Sequence, residues 1–306
     1  MKILLAAPRG FCAGVNMAIE ALDRAIELFG TPLYVFHEIV HNRHVVERFR
    51  TKGVVFVGDL GEVPHGANLM YSAHGVSPAV QQAAQERELS VIDATCPLVR
   101  KVHLEALKFA EQGYAIVLIG HDGHDEVVGT LGYAPGRIQL VETVEDVDRL
   151  ELAQPDKVAY LTQTTLSVDE ANVIIERLKR RFPNCIGAPR EDICYATQNR
   201  QEALKDLLPL ADAVLVVGSR NSSNSNRLVE VAREFGCPAW LVDGAAELDP
   251  QWFAGKETVV VTAGASAPED LVRQCIAALC DWFGATVEER SLREEQVEFP
   301  LPVEVR

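Results

Sequence analysis

Apolar and polar positions alternate along the chain in short blocks, and the order of the blocks recurs three times. The runs Tyr34-Val35-Phe36, Ala115-Ile116-Val117-Leu118-Ile119 and Ala213-Val214-Leu215-Val216-Val217 are short and rich in β-branched residues, which predicts strands rather than helices. Each leads within a few residues to a polar position: His41, His124 or Asn224. About 17 residues later a second short strand is expected at 54–57, 138–141 and 239–242, followed by Asp59, Glu142 or Asp243. A third strand ends at Ser72-Ala73-His74, Thr162-Gln163-Thr164 and Thr262-Ala263-Gly264-Ala265-Ser266. Helical periodicity intervenes at 45–50, 168–181 and 228–235, and residues 1–7 read as a first strand rather than a signal peptide.

Three cysteines mark the same phase of this repeat. Cys12, Cys96 and Cys194 each stand where a strand runs into a helix, and each is followed by a Glu-Ala-Leu triplet: Glu20-Ala21-Leu22, Glu105-Ala106-Leu107 and Glu202-Ala203-Leu204. Alternating strands and helices predict an α/β fold with parallel sheets. We expect three pseudo-threefold-related small α/β units in a trefoil around a central cavity. Their boundaries are residues 1–95, 96–193 and 194–306, with the N-terminal strand, 1–12, able to pack with the third unit. Ligands of parallel sheets collect at the carboxyl ends of the strands, where the polar residues of the repeat fall. Length alone would favour an ordinary two-domain α/β protein.

Composition narrows the partners. Hydrophobic residues make up 48% and charged residues 24%, enough apolar material for a large core. No apolar run is long enough to span a bilayer, so we expect a cytoplasmic protein without a membrane partner. With 29 basic against 44 acidic residues the net charge is −15, which argues against a nucleic-acid ligand.

The seven cysteines contain no Cys-x-x-Cys pair, which removes zinc ribbons and thioredoxin-like motifs. Cys275 and Cys280 lie in an apolar helical run and read as core residues. Cys12 has small, flexible neighbours in Gly10-Phe11-Cys12-Ala13-Gly14, and Pro97 places Cys96 at or beside a helix N-cap. A thiol in that position is acidified by the helix dipole, and thiolate is the metal-binding form. Three such thiolates suit a 4Fe-4S cluster, one per chain, with one iron left open; three-cysteine zinc is the competing reading, but zinc supplies no electrons.

The remaining polar strand-end residues, His41, His74, His124, Thr164, Ser222, Ser223, Asn224 and Ser266, each read singly as turn or cap residues. Together they form an anion pocket suited to phosphate or diphosphate oxygens. No nucleotide-binding loop follows a strand. Glu126 breaks the threefold pattern, because the matching positions hold Arg43 and Asn226. It is the candidate acid for helping a hydroxyl leave as water, with Thr164 as relay, and reads equally as a solvent-facing helix-start carboxylate.

These stretches together resemble the 4-hydroxy-3-methylbut-2-enyl diphosphate reductases of the methylerythritol phosphate route to isoprenoids. The matching segments are Pro8-Arg9-Gly10-Phe11-Cys12-Ala13-Gly14-Val15, 34–42, Ser72-Ala73-His74-Gly75-Val76-Ser77, Asp93-Ala94-Thr95-Cys96-Pro97-Leu98-Val99, 119–126, 162–167, Asp192-Ile193-Cys194-Tyr195-Ala196-Thr197, 218–228 and 262–268. They span nearly the whole chain in order.

The resemblance implies a 4Fe-4S cluster on Cys12, Cys96 and Cys194. It also implies a diphosphate held by His41, His74, His124, Ser222, Ser223, Asn224 and Ser266, with Thr164 and Glu126 at the hydroxyl end. The implied reaction is a two-electron reductive dehydroxylation of the allylic diphosphate, with ferredoxin or flavodoxin as donor, since no flavin or nicotinamide motif is visible. Two rivals are a 4Fe-4S hydro-lyase acting on a phosphorylated substrate, which passes no net electrons, and a non-enzymatic iron–sulfur sensor.

Overall fold

The computed structural model describes residues 1–306. The chain begins with β1 (Lys2–Ala7), α1 (Ala13–Phe29), β2 (Leu33–Phe36), α2 (Arg43–Thr51), β3 (Val54–Val57), β4 (Asn68–Tyr71), α3 (Pro78–Glu86) and β5 (Ser90–Asp93). It continues through α4 (Pro97–Glu111), β6 (Ala115–Ile119), α5 (Asp125–Leu131), β7 (Ile138–Val141), α6 (Val144–Arg149), β8 (Val158–Thr162), α7 (Val168–Arg181) and β9 (Ile186–Gly187). The last third holds α8 (Tyr195–Leu207), β10 (Ala213–Val217), α9 (Ser223–Glu234), β11 (Ala239–Val242), β12 (Thr258–Ala263), α10 (Glu269–Phe283) and β13 (Thr286–Ser291).

These strands form three parallel sheets with one shared plan. Their orders are β3-β2-β4-β5, β7-β6-β8-β9 and β11-β10-β12-β1-β13. In each, the strand leading to a cysteine, β5, β9 or β1, pairs with the strand that comes third in its sheet. β5 and β9 therefore complete their sheets. β1 lies between β12 and β13, with Lys2 opposite both Thr258 and Thr286.

The continuous apolar runs are explained by burial on both faces, since helices cover each side of a parallel sheet. Every residue of β10 is buried. Ile3, Leu5, Leu215 and Val261 enter one core, while Leu4, Ala6, Val214 and Val260 enter the core on the opposite face. In the same way, β6 sends Val117 and Ile119 to one side and Ile116 and Leu118 to the other.

One strand departs from the sequence expectation, and another, β13, has no counterpart in it. β9 has only two residues, so Cys194 follows an irregular segment rather than a long apolar strand. β13 is mostly exposed, and its charges blunt an open sheet edge: Glu288 pairs with Lys2 at 2.7 Å and Glu289 with Arg9 at 3.0 Å.

By compactness the chain divides in two. One unit comprises Met1–Asn16, His41–Arg48 and Tyr195–Glu298 and carries the five-stranded sheet. The other comprises Met17–Val40, Phe49–Cys194 and Phe299–Arg306 and carries both four-stranded sheets. No helix is long and apolar enough to cross a membrane.

Candidate functional site

The three cysteines occupy equivalent places in the three sheets. The backbone N–H of Cys12 donates to the carbonyl of Ala265 at 3.2 Å, that of Cys96 to Ala73 at 3.0 Å and that of Cys194 to Thr164 at 3.0 Å. Each acceptor lies two residues beyond the end of β12, β4 or β8. These contacts tie each cysteine to the turn that carries a second predicted site residue: Ser266, His74 or Thr164 itself. All three thiols are half-buried and open a helix, and Cys96 is the N-cap of α4, although its sulfur caps no backbone N–H.

The other four cysteines belong to the cores. Burial pushes the Cys185 and Cys275 thiols up to about 12 and raises that of Cys237, so these are poor ligands at neutral pH. No disulfide joins any of the seven. The donor chemistry of Cys12, Cys96 and Cys194 therefore fits a thiolate-bound group of the iron–sulfur or zinc type.

In the larger unit, Glu126 is only 2% exposed, so the solvent-facing reading of this residue is set aside. Its Oε1 accepts the N–H of Thr164 at 2.7 Å and its Oε2 accepts the Thr164 hydroxyl at 2.9 Å. Desolvation pushes the carboxyl up to about 7, against the lowering effect of the two Thr164 donors. His124 is the N-cap of α5, and its Nδ1 accepts the N–H of Glu126 at 3.2 Å. This makes Nε2 the protonated nitrogen of the neutral ring and leaves it able to donate. The His74 and His124 rings stand edge to face with centroids 5.9 Å apart.

The seam holding these groups is built on close approaches. Gly75 has φ +74°, and a Cβ added there would lie 2.7 Å from Cε1 of His103 and 3.0 Å from Cγ2 of Thr95. A Cβ at Gly132, just after α5, would lie 2.3 Å from the Cβ of Ser77. His103 is buried on α4, stacked on Tyr133 at 4.2 Å, and its burial lowers the imidazole to about 4, so it packs as a neutral ring. Gly75→Ala is expected to cost about 2–4 kcal/mol, combining a left-handed backbone with overpacking. Urea denaturation measures this, and a loss below about 1 kcal/mol would contradict the packing account.

In the smaller unit, Ser222 is the N-cap of α9 and accepts the N–H of Ser225 at 3.3 Å, while Ser223 is the first residue of that helix. Asn224 is buried, takes the N–H of Ala265 on its Oδ1 at 2.9 Å and donates from Nδ2 to Thr197 at 3.1 Å. The Ser266 hydroxyl donates to the carbonyl of His41 at 2.8 Å and lies 3.5 Å from the Ser222 hydroxyl. His41, Ser222, Asn224 and Ser266 thus belong to one connected group, and Asn224 and Ser266 flank the turn that anchors Cys12.

The segment leading to Cys12 rests on Arg200, which sequence reading did not single out. Its fully buried guanidinium donates to the Gly10 carbonyl from Nε at 3.1 Å and Nη2 at 2.7 Å, and pairs with Glu295 at 3.1 Å. Asp125 was also missed. It stands beside Glu126 and meets two imidazoles, His37 and His74.

Comparison with known proteins places the chain in a family. A family model described as LytB protein matches residues 3–280. A protein of Rhodopirellula baltica named 4-hydroxy-3-methylbut-2-enyl diphosphate reductase is 58% identical over 306 residues, covering 100% of this chain and 96% of its own. One of the same name from Azoarcus is 57% identical over 305 residues, covering 100% and 98%. Among solved structures, the E-1-hydroxy-2-methyl-but-2-enyl-4-diphosphate reductase of Plasmodium falciparum matches with a TM-score of 0.97 at 40% identity, covering 99% of this chain and 96% of that one. A second, described as the terminal enzyme of the non-mevalonate pathway, matches with a TM-score of 0.64 at 31% identity, covering 92% and 100%. The chain belongs to the LytB family.

Proposed function

We propose that the chain catalyses reductive dehydroxylation of (E)-4-hydroxy-3-methylbut-2-enyl diphosphate to isopentenyl and dimethylallyl diphosphates, using one 4Fe-4S cluster held by Cys12, Cys96 and Cys194. The enzyme is an oxidoreductase. The observation that most supports the reading is the threefold recurrence of a half-buried cysteine tied by its N–H to a turn carrying a polar residue. When bound, the cluster supplies single electrons and one iron without a protein ligand.

The chain's own residues bind the substrate and move the proton. His41, His74, His124, Ser222, Ser223, Asn224 and Ser266 donate to the diphosphate oxygens. Glu126, near half-protonated at neutral pH, passes its proton to the Thr164 oxygen, and Thr164 passes its own to the departing hydroxyl. The Thr164 N–H holds the other carboxyl oxygen throughout, which fixes the relay's geometry. Two electrons and two protons balance the loss of water: one proton leaves with the oxygen and the other goes to an allylic carbon. Ferredoxin or flavodoxin in the cytoplasm supplies the electrons.

Anaerobic purification tests the reading. Serine at Cys12, Cys96 or Cys194 is expected to abolish the brown chromophore and turnover with reduced dye, whereas Cys275→Ser retains both. A Cys96→Ser protein with full colour would refute the ligand set. Product formation without reductant would favour the hydro-lyase instead.

A further inference from the structure

In the larger unit a chain of titratable side chains runs from His74 to two residues that the proposed reaction does not use, Asp125 and His37. Nδ1 of His37 is 2.5 Å from Oδ1 of Asp125, and Oδ2 of Asp125 is 4.0 Å from Nδ1 of His74. All three are partly sheltered, with side-chain exposures of 33%, 19% and 15%. The same His74 nitrogen lies 3.4 Å from the Ser72 hydroxyl.

His37 occupies an unusual backbone position. Its N–H donates to the carbonyl of Val57, the last residue of β3, at 2.9 Å; in the other two sheets Gly120 and Gly218 donate to Val141 and Val242 in the same way. His37 has φ +60°, a left-handed conformation that few side-chain-bearing residues adopt. Gly120 and Gly218, at the matching places, do not share this left-handed φ, so the strain is particular to His37, whose ring meets Asp125. Strain of this kind persists where the surroundings hold it, and it gathers at functional sites.

We propose that Asp125 and His37 are positioning residues for His74. The Asp125 carboxylate, held by His37, turns the His74 ring and keeps it protonated, so that its far nitrogen donates to an anionic oxygen of the diphosphate. The inference rests on the reading of His74 as a diphosphate ligand.

A lone carboxylate beside that ligand would repel it. The His37 imidazolium cancels this charge, leaving the trio with one net positive charge when both rings are protonated. The Asp125 hydrogen bond, opposed by burial, raises the His37 imidazole above its ordinary value. Within this unit Asp125 faces His37 at the end of β2 and His74 on the turn after β4; His124 precedes it in sequence and meets the His74 ring, and Glu38 follows His37. Without Asp125 the His74 ring loses the neighbouring negative charge that favours its protonated form.

Calorimetry of inorganic pyrophosphate binding to the holoenzyme from pH 6 to 9 tests this. His37→Asn suits the backbone, because asparagine tolerates positive φ. Asp125→Asn and His37→Asn are expected to bind like the parent at pH 6 and about tenfold more weakly at pH 8. Variants that follow the parent at every pH, or weaken equally at every pH, overturn the proposal. His74→Asn, with His41→Asn in parallel, separates the two layers. If His74→Asn binds pyrophosphate as tightly as the parent, the ligand reading itself fails.

Discussion

Glu126→Gln is expected to lower kcat by about 10²–10⁴-fold, the range for removing a positioned acid. The amide keeps the side chain's shape, so its oxygen still accepts the Thr164 N–H while the proton for the leaving hydroxyl is gone. Substrate binding and the chromophore should persist. In the parent enzyme kcat should be level below about pH 7 and fall about tenfold per unit above it, as the carboxyl ionises.

Stability follows the same titration. The folded-state value of about 7 lies above the ordinary carboxyl value of 4.5, so the unfolded chain loses this proton first. Stability therefore declines as pH rises from about 4.5 to about 7, by about 3 kcal/mol in all, and is level beyond. Glu126→Gln should lack that slope. Initial rates at saturating substrate from pH 6 to 9, with urea curves at pH 5 and 8, measure both effects. Residual activity within tenfold of the parent would remove Glu126 from the acid role.

Arg200→Met is expected to destabilise the protein by about 3–5 kcal/mol, the usual consequence of removing one partner of a buried ion pair. The loss leaves the Glu295 carboxylate with the Asn199 amide at 2.9 Å but no cation from Arg200, and deprives the Gly10 carbonyl of two donors. That is a large part of the stability of an ordinary domain. Adding Glu295→Gln should recover part of the loss, because the uncompensated charge goes with it. Bound iron should also fall, since Gly10 lies in the turn leading to Cys12. Urea denaturation of the single and double variants decides the matter, and a loss under about 1 kcal/mol for the single variant would contradict the role assigned to Arg200.

How much the sequence revealed depended on how each element is buried. β2, β6 and β10 were legible because a strand covered on both faces is an unbroken apolar run, and the repeat supplied their order. β13 was not, because it is a charged edge whose partners, Lys2 and Arg9, lie at the opposite end of the chain. The cysteine positions were legible from spacing, as was the Glu126 position, yet the sequence left Glu126 open between exposure and burial. Only the fold, by bringing Thr164 onto both carboxyl oxygens, settles its environment. Asp125 escaped notice because neither His37 nor His74 is near it in sequence.

The pairing of β1 with β12 and β13 bears on how the molecule is made. The segment Lys2–Ala7 leaves the ribosome long before the strands on either side of it exist, whereas both four-stranded sheets can close from segments already synthesised. Cys12 consequently acquires its anchoring turn last, and the segment around it is held in place only once the final third of the chain has been translated.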